Sequence, residues 1–188
     1  YIYSRLMNPT QDVMEQRIAA LEGGGGALAV ASGTAAIHYA IINICSTGDE
    51  VVSSSNLYGG TYTMFDTILP QFGIRTRFVE PSKPEAFEAA INARTRAIFV
   101  ETIGNPALDV TDLEAVSAVA RAHNLPLIVD GTFTTPYLLR AIDHGADIVV
   151  NSVTKWMGGH GTGIGGVVVD AGRFDWTDPK FTLYNEPD

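Results

Sequence analysis

Short apolar runs alternate with amphipathic segments along most of the chain. The runs predict strands at residues 27–31, 50–53, 75–79, 97–101, 127–130, 148–151 and 166–170. The segments between them predict helices at residues 34–44, 61–69, 84–91, 112–123 and 136–141. Because apolar strands that alternate with helices form βαβ units, the pattern predicts an α/β fold: a three-layer domain with a mostly parallel sheet covered on both faces.

A further helix is predicted before the first strand. Asn8 is a typical N-cap residue, and the glycines at 23–26 are typical of a helix end. Between them, Met14, Ile18 and Leu21 recur at helical spacing and predict one apolar face that packs on the domain.

Composition narrows the class of protein. The chain has 188 residues, 46% of them apolar and 18% charged, which indicates one globular domain with a substantial core. The net charge of −9, without a Lys/Arg block, argues against a nucleic-acid partner. No apolar run approaches the roughly 18 residues of a membrane span. The single cysteine, Cys45, fits a cytoplasmic setting, and the four histidines lack metal-ligand spacing, so no metal site is predicted.

Candidate chemistry collects where the predicted strands end, since ligands of such sheets bind outside the carboxyl ends of the strands. Asp130 ends an apolar strand, where a carboxylate needs a partner such as a pyridinium nitrogen, although an Asp-Gly turn would also explain it. Lys155 follows the next strand. Its neighbours Trp156 and Met157 predict an apolar surround that lowers the pKa of its amine, as Schiff-base formation requires.

Two more strand ends carry suitable residues. Ser32, Gly33 and Thr34 precede a helix, where backbone N–H groups can bind an anion or where Ser32 simply caps the helix. Tyr58 precedes two glycines and could stack on a ring, move a proton, or be an exposed loop residue. After the predicted strand at residues 148–151, Ser152 and Thr154 are spaced so that, in an extended chain, their side chains point the same way, as two phosphate ligands could.

These stretches resemble the Cys/Met-metabolism family of pyridoxal-phosphate enzymes, of fold type I, from Tyr3 to about Trp176. The resemblance rests on ordered motifs: Tyr3-Ser4-Arg5 with Asn8-Pro9-Thr10, Ser32-Gly33-Thr34, Tyr58-Gly59-Gly60-Thr61, Glu101 with Asn105-Pro106, Val129-Asp130, and Ser152-Val153-Thr154-Lys155 with Gly159-His160. It implies that residues 1–188 form the large domain that binds pyridoxal 5'-phosphate (PLP), with an N-terminal segment and a smaller C-terminal domain missing.

The resemblance also implies roles. Lys155 would carry the cofactor and shuttle protons, Asp130 would pair with the ring nitrogen, and Tyr58 would stack over the ring and assist the leaving group. Asn105 would lie beside the ring's oxygen substituent. The phosphate would be held by Ser32, Gly33, Thr34, Ser152 and Thr154. Tyr3 and Arg5 would reach the phosphate of a neighbouring subunit, so the site needs a dimer, and subunits of this family usually form tetramers.

Within the family, residues 102–106, 156–163 and 172–176 are most similar to O-acetylhomoserine sulfhydrylases. The implied reaction is γ-replacement on an O-acylated homoserine with sulfide or a thiol, which gives homocysteine or methionine. A γ-lyase or a cystathionine γ-synthase is the alternative, although the γ-lyases tend to have cysteine where Gly60 stands. A catalytically incomplete cofactor-binding fragment is the alternative of a different class. Gly131 departs from the asparagine common in the family, which is expected to loosen local hydrogen bonding.

Overall fold

A single seven-stranded sheet forms the centre of the domain in the computed structural model, which describes residues 2–185. Residue 1 and residues 186–188, although included in the predicted domain, lie outside the described residues. The strands are β1 (Gly26–Val30), β2 (Glu50–Ser54), β3 (Arg75–Val79), β4 (Thr95–Glu101), β5 (Leu127–Asp130), β6 (Ile148–Ser152) and β7 (Gly166–Asp170). Every predicted strand is present, with its ends shifted by two residues at most.

The strands follow the order β1-β7-β6-β5-β4-β2-β3, and β7 runs antiparallel to both of its neighbours. The remaining pairs are parallel, so the mostly parallel sheet is confirmed. The ends of β1–β6 and the start of β7 therefore meet along one edge, here called the carboxyl edge. The opposite edge, where β1–β6 begin, is called the amino edge.

Helices cover both faces of the sheet. They are α1 (Pro9–Glu22), α2 (Gly33–Ile42), α3 (Gly59–Thr63), α4 (Pro84–Ala90), α5 (Leu113–Ala122), α6 (Thr135–Leu138) and α7 (Thr182–Asn185). On β4, Phe99 packs into the core beside α2, whereas Val100 packs into a second core beside α5. This alternation of side chains across two separate cores is what a three-layer α/β domain requires, and it confirms the predicted fold class.

The apolar face predicted for α1 is wrong at two of its three positions. Ile18 is buried, but Met14 and Leu21 are 36% and 54% exposed. The face toward the domain also carries two acids: Glu15 accepts the Ala29 N–H at 2.7 Å, and Glu22 accepts the Ala141 N–H at 2.8 Å. Hydrogen bonds to the backbone of neighbouring elements, rather than apolar spacing alone, set how the helix is rotated.

Two predicted helices are more irregular than the pattern indicated. The segment predicted at 61–69 starts as α3, continues as a π-helical turn at Met64–Ile68, and ends as a 3-10 turn at Leu69–Phe72. The segment at 136–141 divides into α6 and a 3-10 turn at Ala141–His144. Across residues 2–185, no helix is both long enough and apolar enough to span a lipid bilayer.

Candidate active site

The carboxyl edge brings three polar side chains to one face of the sheet. Ile128 on β5 and Val150 on β6 belong to the core beside α2, and side chains alternate along a strand. Asp130 and Ser152, two residues further on, therefore lie on the same face, above that core. Glu101 on β4 is the register partner of Asp130, which places a second acid beside it.

A cavity of about 620 Å³ opens at this point of the carboxyl edge. It is lined by every predicted site residue except Tyr3 and Arg5, namely Ser32, Gly33, Thr34, Tyr58, Asn105, Asp130, Ser152, Thr154 and Lys155. Residues from five strand ends thus converge on one volume, which falls in the size range of small-molecule and cofactor sites.

The start of α2 forms one wall of the cavity. The side chain of Ser32 accepts the Ala35 N–H at 3.0 Å, and its carbonyl accepts the Ala36 N–H. Ser32 is therefore a true N-cap, and the first N–H groups of the helix, those of Gly33 and Thr34, remain available for an anion. A Cβ at Gly33 would lie 2.6 Å from the Cβ of Ser152, so only glycine allows the helix start to approach β6 this closely. The Ser32 cap is therefore compatible with an anion site at the start of this helix.

Asp130 is half-buried at the end of β5. Burial raises the pKa of its carboxyl above the ordinary value, and hydrogen bonds from the side chain and backbone of Thr132 oppose that shift. The Thr132 N–H donates to Oδ1 at 2.8 Å, as in the turn that the Asp-Gly sequence also allowed. The turn interpretation is therefore correct, and the same carboxylate also lines the cavity.

Lys155 lies in a turn that follows β6, where its N–H donates to the Ser152 carbonyl at 3.1 Å. It lines the cavity but is exposed, and Trp156 beside it is 68% exposed. The apolar surround predicted for this lysine is therefore wrong within the described residues. The turn directs Trp156 outward. The sequence does not show this direction, because it depends on how the backbone turns after β6.

Thr154 lies in the same turn, and its position differs from the predicted one. β6 ends at Ser152, so the chain is not extended between Ser152 and Thr154 as predicted. The Thr154 hydroxyl donates to the Gly165 carbonyl at 3.2 Å and accepts the Gly165 N–H at 3.0 Å. Thr154 lines the cavity, but its hydroxyl also holds the far end of the loop that carries Lys155.

Glu101 was not among the predicted site residues, although it also lines the cavity. It is 5% exposed, and burial followed by the nearby charge of Asp130 raises its pKa to about 8. Its carboxyl accepts the Tyr58 N–H at 2.7 Å and a backbone hydrogen bond from Asn105. An acid that ends an apolar strand, as Asp130 does, was the signal in the sequence that could have identified it.

Tyr58 is 52% exposed at the mouth of the cavity. Its backbone is fixed by Glu101, and its ring lies against Gly60, where a Cβ would come within 2.6 Å of the ring's Cε1. A larger residue at position 60 would move the ring, so the glycine in this sequence determines where the Tyr58 ring lies.

Tyr3 and Arg5 lie away from the cavity of their own chain. Tyr3 is exposed, and the Arg5 guanidinium lies 5.0 Å from the centre of its ring. Their predicted contact is with a neighbouring subunit, so it stays a prediction.

Other reactive groups do not form a second centre among residues 2–185. Cys45 is buried, and burial raises the pKa of its thiol to about 12, so it packs as a small hydrophobic side chain. No cluster of three or more His, Cys, Asp or Glu side chains suited to a metal ion occurs in this part of the chain.

The side chains around the cavity fit PLP by their chemistry. A primary amine can bond to the aldehyde, a half-buried carboxylate can pair with a ring nitrogen, and helix N–H groups with a neighbouring serine can bind a phosphate. The close approach of Gly33 to Ser152 forms a cradle that any larger side chain would fill. These three features occur together in one volume.

The chain matches a known family of proteins along nearly its whole length. The model of the family described as Cys/Met metabolism PLP-dependent enzymes matches residues 1–186. The O-acetyl-L-homoserine sulfhydrylase of Leptospira meyeri is 54% identical over 187 residues, covering 100% of this chain and 42% of its own length. The homocysteine synthase of Schizosaccharomyces pombe is also 54% identical, over 100% of this chain and 44% of its own.

Solved structures of proteins in this class are similar to the chain in fold. A Campylobacter jejuni protein assigned as an O-acetylhomoserine (thiol)-lyase superposes with a TM-score of 0.96 and 39% identity, over 100% of this chain and 47% of its own; its structure contains N'-pyridoxyl-lysine-5'-monophosphate. The cystathionine γ-lyase of Lactobacillus plantarum gives 0.87 and 42%, over 90% and 44% of the two chains. The chain thus spans less than half the length of these relatives. On its sequence, its fold and its cavity, it belongs to the Cys/Met metabolism family of PLP-dependent enzymes.

Proposed function

We propose that this chain is the PLP-binding large domain of a transferase that replaces the γ-substituent of an O-acylated homoserine with sulfide or a thiol, giving homocysteine or methionine. The observation that carries the proposal is the convergence of Lys155, Asp130 and the Ser32-Gly33-Thr34 helix start on one cavity. The sulfhydrylase and homocysteine synthase names of the relatives support the choice of reaction.

Each residue then has a role. PLP, when bound, supplies an aldehyde for amines and an electron sink for carbanion chemistry. Lys155 Nζ would hold the cofactor and could accept and return protons at the substrate carbons. The Asp130 carboxylate would keep the ring nitrogen protonated, and Asn105 would face the ring's oxygen substituent. The Gly33 and Thr34 N–H groups, with Ser32, Ser152 and Thr154, would bind the phosphate.

Tyr58 completes the set. Its ring would stack on the cofactor ring, and its hydroxyl would donate a proton to the departing acyloxy group. Glu101 fixes the backbone of Tyr58 through the 2.7 Å hydrogen bond and so holds this residue at the mouth of the cavity.

We further propose a cytoplasmic homo-oligomer whose partners are small molecules, namely the amino-acid substrate and sulfide or a thiol. The exposed Tyr3 and Arg5 would complete the phosphate site of a second copy, so a dimer is the minimal active unit and a tetramer the expected assembly. The acidic chain without a basic cluster supports neither nucleic-acid nor membrane binding. A single, buried cysteine suits a reducing compartment.

Cofactor binding tests the first step. Purified chain is mixed with PLP, reduced with borohydride and mapped by mass spectrometry, with the expectation of one pyridoxyl group on Lys155. Lys155→Ala should abolish the trapped adduct, whereas Lys83→Ala, which removes an exposed lysine at the start of α4, should not. Equal trapping by Lys155→Ala and the unaltered chain would overturn the proposal.

The choice of reaction needs a second assay, because the structural likeness extends to a cystathionine γ-lyase. The protein that carries this chain is supplied with acetyl- or succinyl-homoserine, with and without sulfide. Homocysteine that appears only with sulfide supports the transferase, and ketoacid released without sulfide supports a γ-lyase. PLP binding with neither product would identify an incomplete cofactor-binding fragment.

A further inference from the structure

Thr132 joins two strands at the floor of the cavity. It follows β5 in the loop that begins Asp130-Gly131, and it is half-buried and lines the same volume as Lys155. Neither the cofactor chemistry nor the phosphate cradle described above uses it. Its hydrogen bonds nevertheless contact both parts of the site.

The threonine makes two such bonds, and its side chain also acts on the acid. Its backbone N–H donates to Asp130 Oδ1 at 2.8 Å, and its side chain lies close enough to the Asp130 carboxyl to oppose the rise of its pKa. Its Oγ1 accepts the Ser152 N–H at 2.8 Å. Since one hydroxyl can accept and donate at the same time, Oγ1 can accept from Ser152 while it donates to Asp130.

We propose that Thr132 is a positioning residue that ties the carboxylate of Asp130 to the backbone of Ser152, and so fixes the ring-nitrogen end of the PLP site against its phosphate end. The inference rests on the function proposed above. The backbone N–H of Thr132 holds one carboxylate oxygen of Asp130, and a side-chain hydroxyl held by β6 restrains the carboxylate at a second point and so restricts it to one orientation. The bond also favours the ionised carboxylate, the form that a protonated ring nitrogen needs.

Three variants separate this role from a general contribution to the loop. Thr132→Val keeps the shape of the side chain but removes its donor and acceptor, and Thr132→Ser keeps both. Thr134→Val is the matched control, because Thr134 is a buried threonine of the same loop whose hydroxyl bonds to Thr102 and Gly131 but to neither Asp130 nor Ser152.

The primary measurement is PLP affinity by absorbance titration of the folded chain. Thr132→Val should weaken it by about tenfold or more, the usual effect of losing a hydrogen bond to a charged group. Thr132→Ser and Thr134→Val should stay within about twofold of the unaltered chain.

Two readouts do not depend on the cofactor. In Thr132→Val the Ser152 amide should exchange its hydrogen faster, and the Asp130 carboxyl carbon, followed by NMR, should titrate at higher pH than in the unaltered chain. A purely structural role would leave the Asp130 titration unchanged.

The outcomes are distinguishable. If the unaltered chain binds no PLP, the proposed function fails, and the Asp130 titration still decides whether Thr132 orients the carboxylate. If the unaltered chain binds PLP and Thr132→Val binds it equally well with an unchanged Asp130 titration, the positioning role alone is overturned. A loss in Thr134→Val as large as that in Thr132→Val would overturn it as well.

Discussion

The acidic side chains at the two edges of the sheet have different partners. At the amino edge, Glu50 bonds to the side chains of Arg77 at 2.5 Å and Asn92 at 2.7 Å, which lowers the pKa of its carboxyl. Asp147, at the start of β6, accepts the Leu127 N–H at 2.9 Å and lies 3.8 Å from the Arg173 guanidinium. The acids of this edge have charged partners inside the chain.

At the carboxyl edge, Glu101 and Asp130 accept hydrogen bonds from N–H and hydroxyl groups only. Within residues 2–185, neither is in an ion pair with a lysine, arginine or histidine, and burial raises the pKa of both. Glu50 and Glu101 are both almost fully buried, yet their pKa values shift in opposite directions: side-chain hydrogen bonds from Arg77 and Asn92 lower that of Glu50, whereas burial and then the charge of Asp130 raise that of Glu101. At Asp147 burial outweighs the nearby Arg173 and raises the pKa. The difference between the edges lies in the partners of their acids: those of the amino edge contact arginine side chains, whereas those of the carboxyl edge contact no cation among residues 2–185 and can pair with a cationic group of a ligand.

The largest expected effect is on the ligand side of this comparison. Asp130→Asn should weaken PLP binding by about tenfold to a hundredfold, because an amide cannot keep the ring nitrogen protonated. The free energy of unfolding of the cofactor-free chain should hold or rise, since a half-buried acid with a raised pKa has been removed. Absorbance titration and urea unfolding measure the two quantities. Asp143→Asn, at an exposed ion pair with Arg140, is the control that should change neither.

The corresponding change at the amino edge should have the converse effect. Glu50→Ala removes the acceptor of Arg77 and Asn92, and should lower the free energy of unfolding by about 1–3 kcal/mol. PLP affinity of the folded protein should stay the same, since Glu50 lies at the far ends of the strands from the cavity. A loss of affinity comparable with that of Asp130→Asn would contradict the division between the edges.

Glu101 and Glu50 predict opposite responses of stability to pH. The pKa of Glu101 is raised from 4.5 to about 8, so the folded chain keeps a proton that the unfolded chain releases, and stability should fall as pH rises through that window. The lowered pKa of Glu50 has the reverse sign: its contribution is present above 4.5 and is lost as pH falls through the lower folded value.

Urea unfolding across this pH range checks the prediction, with Glu101→Gln expected to flatten the decline. Each unit of pKa displacement corresponds to about 1.4 kcal/mol. Glu22, whose pKa burial raises to about 7, contributes with the same sign, so Glu22→Gln serves as the comparison variant. An unchanged slope in Glu101→Gln would show that its carboxyl titrates normally.

The smallest effect concerns a defect beside the carboxyl edge. The side-chain Oδ1 and Nδ2 of Asn151 are buried and lack a hydrogen-bond partner among the described residues. A Cβ at Gly131 would lie 3.2 Å from that Oδ1, and Gly131 is not among the glycines with positive φ. Gly131→Asn should therefore supply the missing partner and raise stability by up to about 1 kcal/mol in thermal unfolding. Gly131→Ala is the control, and a more stable alanine variant would contradict the explanation.

This defect matches an expectation from sequence, where Gly131 was predicted to loosen local hydrogen bonding. The strands, the carboxyl-edge site and most of its lining residues were also predictable. Apolar runs, the polar residues that follow them and glycines can all be recognised in the sequence alone. Thr132 was missed because its importance depends on a cross-strand hydrogen bond with Ser152. Glu101 was given no role although it ends an apolar strand as Asp130 does, because its pairing with Asp130 is seen only in the sheet. The direction of β7 was missed for a similar reason, since apolar periodicity is the same in both directions along a strand.

The reversed direction of β7 has a consequence for the segment that bears Lys155. Parallel neighbours need a crossover that traverses the sheet, whereas the connection from β6 to β7 leaves and re-enters the sheet on the same side. Its two ends are fixed by the Ser152–Gly166 register and by the Thr154–Gly165 hydrogen bonds. Insertions or replacements after Lys155 and before Gly165 can therefore reshape the entrance to the cavity, while the ends of β6 and β7 keep their spacing.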